Sequence, residues 1–171
     1  AQRKMLSHYD NATLYNDSIV AQIVKRFQKQ DAIVIYVPDH GEECYEENRG
    51  FICRNHSAEI DWPLAHYEFE IPFWIYCSPK YIRNHRDIYR QIRKAKDKRF
   101  MTDALPHLLL YLAGIETPTY KEEYNILSPK YDEMRPRILK NSADYDKLRD
   151  AHLEKIKKEE SKKVKKKERR N

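Results

Sequence analysis

Apolar residues recur every three or four positions near the start of the chain: Tyr9, Ala12, Tyr15, Ile19, Val20, Ile23, Val24 and Phe27. That period predicts a helix over residues 8–29, with Asn16, Asp17, Gln22, Lys25, Arg26, Gln28 and Lys29 on its wet side. "AIVIYV" at 32–37 breaks the period. It is short, continuous and β-branched, which predicts a strand buried on both faces. A helix feeding such a strand predicts an α/β fold, with a mainly parallel sheet flanked by helices. Residues 38–68 read as a long polar segment, and loops of that length in compact domains tend to be functional. "EIPFWIYC", 70–77, predicts a second core strand with Pro72 at its entry. A basic amphipathic helix follows over 80–99, read as a solvated face.

"FMTDALPHLLLYLAGIETP" predicts a helix with Thr102 as N-cap and Asp103 in the first turn. Pro106 comes early enough to be tolerated, and Gly114 is the expected stop. Leu105, Leu108, Leu109 and Leu112 form its apolar stripe. Residues 116–140 carry turn signals and read as coil. From about Asp144 the pattern becomes a charged helix ending in a lysine run that is expected to fray. The expected division is a body at 1–143 and a lysine-rich, helical or disordered tail at 144–171.

Composition changes this picture mainly through charge. The chain has 171 residues and a net charge of +6. Residues 147–171 hold 12 basic and 5 acidic side chains, net +7, which leaves residues 1–146 at −1. The basic pI is thus a property of the tail, and the body has no charge signature for nucleic acid. The tail lysines suit either an anionic membrane surface or a solubilising, disordered end. The longest apolar runs fall well short of the roughly 18–20 residues that a bilayer requires. The chain opens on helix-forming residues without a signal-peptide pattern, as expected of a piece of a longer protein. Three cysteines allow one disulfide, with Cys44 and Cys53 the local pair; buried thiols are the alternative.

The candidate chemistry sits in "IVIYVPDHGEE", residues 33–43. Ligands bind at the carboxyl ends of strands in open α/β sheets, and Asp39 and His40 stand at such an end. Carboxylate and neutral imidazole suit Zn²⁺. Gly41 is expected to let the backbone turn so that both side chains face one point, with Glu42 or Glu43 orienting ligands from behind. An ordinary strand-to-loop turn explains the same three residues. Trp62, Tyr67 and Phe69 are open between lining a pocket and packing a core. His8, His85 and His107 read as surface or helix-face residues.

"HYDNATLYNDSIV", "IVIYVPDHGEE", "RNHS", "YEFEIPFWIYCSPKY" and "FMTDALPHLLLYLAGIETP" follow one another in this order. Together they resemble the carboxyl-terminal half of the sulfatase-like catalytic domain of bacterial phosphoethanolamine transferases, in the alkaline phosphatase superfamily. The last stretch looks like a Bacteroidetes-type member. The resemblance covers roughly residues 8–128 and implies part of an alkaline phosphatase/sulfatase-like sandwich. It implies Asp39 and His40 as ligands of a catalytic zinc, and His56 facing a second metal or the substrate phosphate. His66 is an alternative to His56. Glu42 falls on the motif's first glutamate, behind the ligands. Tyr9, Asp10 and Asn11 match a motif that reads as structural.

The resemblance further implies a zinc-activated threonine nucleophile and another acidic ligand, both in sequence this chain does not contain. Thr13, Thr102, Thr117 and Thr119 lie in the wrong context to replace that threonine. The implied whole enzyme is anchored in the inner membrane by amino-terminal helices, with its catalytic domain in the periplasm. It moves phosphoethanolamine from a phospholipid donor to lipid A or another envelope glycan. The fragment alone is expected to be soluble and inactive. The alternatives are a fragment of a sulfatase- or phosphatase-type hydrolase and a non-catalytic remnant acting as a binding module.

Overall fold

The computed structural model describes residues 1–54 and 59–168. Its elements are α1 (Gln2–Phe27), β1 (Ile33–Tyr36), β2 (Glu43–Cys44), β3 (Phe51–Cys53), α2 (Trp62–Phe69), β4 (Trp74–Cys77), α3 (Pro79–Asn84), α4 (Arg86–Ala95), α5 (Leu105–Ala113), β5 (Ile138–Leu139), β6 (Ala143–Asp144) and α6 (Tyr145–Glu168). The mixed α/β character is as expected. Two compact units form, one from residues 1–37 and 72–135, the other from 38–71 and 136–171. The 143/144 boundary falls inside the second unit, within β6.

In the first unit, β1 pairs with β4 in antiparallel register, Ile33 opposite Cys77 and Tyr36 opposite Trp74. This corrects the parallel sheet: each described sheet is a two-stranded antiparallel pair. It also corrects the doubly buried strand, since all four β1 residues are only half-buried. A continuous apolar run says that a strand is covered; it does not encode the direction of its neighbour. Here cross-strand packing takes over, with Tyr36 and Trp74 stacked at 5.2 Å and 15°.

The core of this unit gathers Ala95 of α4, Leu108 of α5, and Ile126 and Leu127 from the following segment. Ile88 and Ile92 come from the inner face of α4. The basic helix predicted over 80–99 is two helices broken at His85, whose backbone leaves the helical region. Ser78 starts the first by accepting from the Tyr81 N–H at 3.0 Å and donating to Gln30 O at 2.6 Å. Helix α5 keeps its predicted punctuation: Pro106 in the first turn and Gly114 left-handed at φ 65°. Thr102 does not cap it; it begins a 3-10 turn without a side-chain cap. Asp103 instead holds Arg135 through two bonds, 2.5 and 2.7 Å.

Helix α1 is longer than predicted, and its apolar stripe is not buried. No α1 residue is buried. Val20, Val24 and Phe27 are half-covered, while Tyr9, Tyr15, Ile19 and Ile23 are exposed.

The second unit contains what the sequence pattern missed, helix α2 inside the supposed 38–68 loop. Asp61 caps it, its side chain accepting from the Leu64 N–H at 3.0 Å, and Pro63 occupies the first turn. Leu64 and Ala65 form a core with Ile60 and Tyr145. Trp62 and Phe69 pack against that core, which settles their use as packing residues. Helix α6 lies along α2. The Trp62 ring stacks on His66 (5.4 Å) and on His152 (5.2 Å), and the Tyr145 hydroxyl donates to Glu70 Oε1.

Candidate metal centre

The β1 ladder ends at Tyr36, and Pro38, which has no N–H, cannot extend it. Asp39 and His40 follow at once. The His40 ring is fixed at Nδ1, which lies 2.8 Å from the Gly41 carbonyl oxygen. A carbonyl only accepts, so Nδ1 carries the proton and Nε2 presents its lone pair. Asp39 Oδ2 lies 3.5 Å from Nε2. The histidine side chain is 21% exposed and the aspartate 86%. Arg54 Nη1 reaches His40 Nε2 at 2.6 Å.

Gly41 has a different use from the one expected. Its φ is not positive. Its N–H donates to Glu68 O at 2.8 Å, and a Cβ at this position would meet Tyr67 O at 2.1 Å. The glycine is needed because the loop backbone touches the end of α2. It thereby fixes the carbonyl that orients His40.

Behind the loop, Glu43 is fully buried, with Oε1 2.6 Å from Arg49 Nε. Arg49 also reaches Asp61 Oδ2 at 2.5 Å. Burial pushes the Glu43 carboxyl above its ordinary value, and Arg49 offsets part of that rise. At Asp61 burial acts the same way but is outweighed by the Arg49 and Leu64 hydrogen bonds, so its value falls. Glu43 thus ties the loop after β1, through Arg49, to the capping residue of α2. Glu42 is half-buried beside it. Between β2 and β3 the chain turns through left-handed residues Tyr45, Glu47, Asn48 and Gly50, which returns Arg54 to His40.

Other expected site residues fall elsewhere. His56 lies outside the described residues, as does the side chain of Cys53 and with it the Cys44–Cys53 pair. Cys44 is buried. His66 stands on α2 with Nδ1 3.0 Å from Glu70 Oε1, and its stacking on Trp62 gives it a packing role. Among the described residues, no group of three or more His, Cys, Asp or Glu side chains converges as a metal site.

The Asp39–His40 pair nevertheless fits zinc. Ligands at roughly 2.0–2.2 Å in a tetrahedron stand roughly 3.4 Å from each other. The observed separation is 3.5 Å. A ring N–H held by a backbone carbonyl is also the usual support of a ligating histidine. Sequence reasoning had Glu43 behind the ligands but missed its partner Arg49, and it missed Arg54; the stretch holding Arg54 was in view, but a pairing 14 residues apart has no local period to betray it.

The profile of the sulfatase family matches residues 1–115. Phosphoethanolamine transferase EptC of Escherichia coli is 32% identical over 128 residues, 73% of this chain and 21% of that protein. The Kdo(2)-lipid A phosphoethanolamine 7''-transferase of Escherichia coli is 29% identical over 99 residues, 56% of this chain and 16% of that protein. The crystal structure of the C-terminal periplasmic domain of Escherichia coli EptC in complex with Zn superposes with a TM-score of 0.64 at 30% identity, over 82% of this chain and 39% of that one. The chain spans about a fifth of the curated relatives' length. No helix among the described residues is long and apolar enough to cross a membrane. With a match over two thirds of its length, this chain belongs to the sulfatase family.

Proposed function

We propose that the protein to which this chain belongs is a zinc-dependent phosphoethanolamine transferase, and that Asp39, His40 and His56 are metal ligands. The observation that carries the reading is the separation of Asp39 Oδ2 and His40 Nε2, 3.5 Å, with the ring locked by Gly41. The likeness to EptC supplies the reaction class. Zinc, when bound, polarises phosphoryl oxygens and lowers the pKa of a hydroxyl nucleophile.

The chain's own residues do the positioning. Gly41 holds the His40 ring in one tautomer, so its lone pair needs no reorganisation to ligate. Asp39 adds negative charge that favours a cation. Glu43, paired with Arg49, keeps the loop on α2. The threonine nucleophile implied by the resemblance lies outside this chain. The donor is a phospholipid and the acceptor lipid A or another envelope glycan, with the working enzyme at the inner membrane, facing the periplasm.

The test is mass spectrometry of lipid A from cells that make the whole protein. Added phosphoethanolamine is expected with the wild type and none with His40→Ala. Unchanged modification in both Asp39→Ala and His40→Ala would overturn the metal assignment. Hydrolysis of a phosphate or sulfate ester in place of transfer would move the protein to the hydrolase side of the family.

A further inference from the structure

The geometry points to a placeholder role for Arg54: its guanidinium holds the His40 lone pair when no metal is there and must be displaced for metal to bind. This rests on the metal reading of Asp39 and His40 and adds a residue that neither the motif nor the family match assigns. Arg54 Nη1 lies 2.6 Å from His40 Nε2, the atom the metal reading requires. The His40 Nδ1 proton is committed to Gly41 O, so Nε2 accepts and Arg54 donates. A guanidinium keeps its proton at every relevant pH, so the contact puts a permanent positive charge on the ring nitrogen that faces Asp39.

A cation therefore already stands where a cation belongs, and two consequences follow. First, the His40 ring stays preorganised without metal, because Arg54 and the Gly41 carbonyl hold its two nitrogens and keep it from turning. Second, metal affinity is set by a competition: the ion gains the His40 lone pair only as the Arg54 bond breaks. Arg54 is exposed, so its side chain has water to move into. Arg49, the neighbouring arginine, is held by Glu43 and Asp61 and is not a competitor for His40.

The experiment is zinc titration of the metal-free chain by calorimetry, on wild type, Arg54→Gln and His40→Gln, with nitrogen-15 shifts of the His40 ring recorded before metal. Arg54→Gln is expected to bind Zn²⁺ about tenfold more tightly, the factor matching one ordinary hydrogen bond removed from competition. Its His40 Nε2 resonance should move before any zinc is added, while Nδ1 stays put. The gain should persist in about 1 M salt, where the screening length is about 3 Å and only direct contacts survive. A gain that vanishes in high salt would reduce Arg54 to a distant repelling charge and overturn the proposal. Unchanged affinity in Arg54→Gln, with binding lost in His40→Gln, would overturn it and leave the metal reading standing. Wild-type zinc affinity in His40→Gln would instead bring down the metal reading itself.

Discussion

Helices α1 and α2 make opposite cases. Helix α1 has 26 residues and an apolar period visible over most of its length, yet none of its residues is buried. Helix α2 has 8 residues in a segment that reads as polar loop, yet Leu64 is 1% exposed and Ala65 fully buried. A period reports which face of a helix is fit to be covered. Whether anything covers it depends on the rest of the fold. In α2 the short-range signals carry the information instead: an Asp cap, a proline in the first turn, and a glycine elsewhere in the chain that admits its backbone.

The sharpest way to break this contrast is to mutate the two helices alike. Leu64→Ala should destabilise the second unit by roughly 3–4 kcal/mol, the usual range for a fully buried leucine. Gly41→Ala should reach a similar size by another route, because Tyr67 O would stand 2.1 Å from the new methyl and backbone must shift. Urea unfolding followed by tryptophan fluorescence measures both, since Trp62 packs on the same core. Stability within roughly 1 kcal/mol of wild type in either variant would mean that α2 is not held as described.

How much of this was legible differs by element for physical reasons. The α5 stop at Gly114 and the strand end at Pro38 were readable because each rests on one residue's backbone chemistry. The start of α6 was readable within a residue, at Tyr145 against an expected Asp144, from its charge pattern. The antiparallel pairing of β1 was not, since apolar runs carry no strand direction. At the candidate site, the placing of Asp39 and His40 just past the end of a strand was legible. The reason for Gly41 was not, because the clash it avoids is with Tyr67, far along the chain. Arg54 was invisible for the same reason.

A smaller effect sharpens the account of the α2–α6 seam. The Tyr145 hydroxyl is pushed up from 10.0 to about 12, first by burial and then by its hydrogen bond to Glu70. The fold therefore favours the neutral phenol. That stabilisation is complete below pH 10 and is lost as pH rises towards about 12. Allowing for the exposure of Glu70, it amounts to roughly 1–2 kcal/mol. Tyr145→Phe should remove this alkaline loss and flatten the urea midpoint against pH. An unchanged alkaline slope would place its origin in another group. Asp61→Ala should cost about 1 kcal/mol through the cap, and more if Arg49 loses its hold beside Glu43.

The smallest expected effect completes the comparison. Leu14→Ala and Tyr15→Ala remove large apolar side chains from α1, and Tyr15 is 70% exposed. Alanine is the better helix former, and little burial is lost, so stability should change by no more than about 0.5 kcal/mol in either direction. The measurement is again a urea midpoint, now with helix content by circular dichroism. A loss of 2 kcal/mol or more, roughly the scale of a buried side chain, would mean that in solution the α1 stripe is covered after all. The difference between the two helices would then lie in what each packs against rather than in whether it packs. A neutral result leaves α1 as an apolar face whose sequence anticipates a cover that this chain does not itself provide.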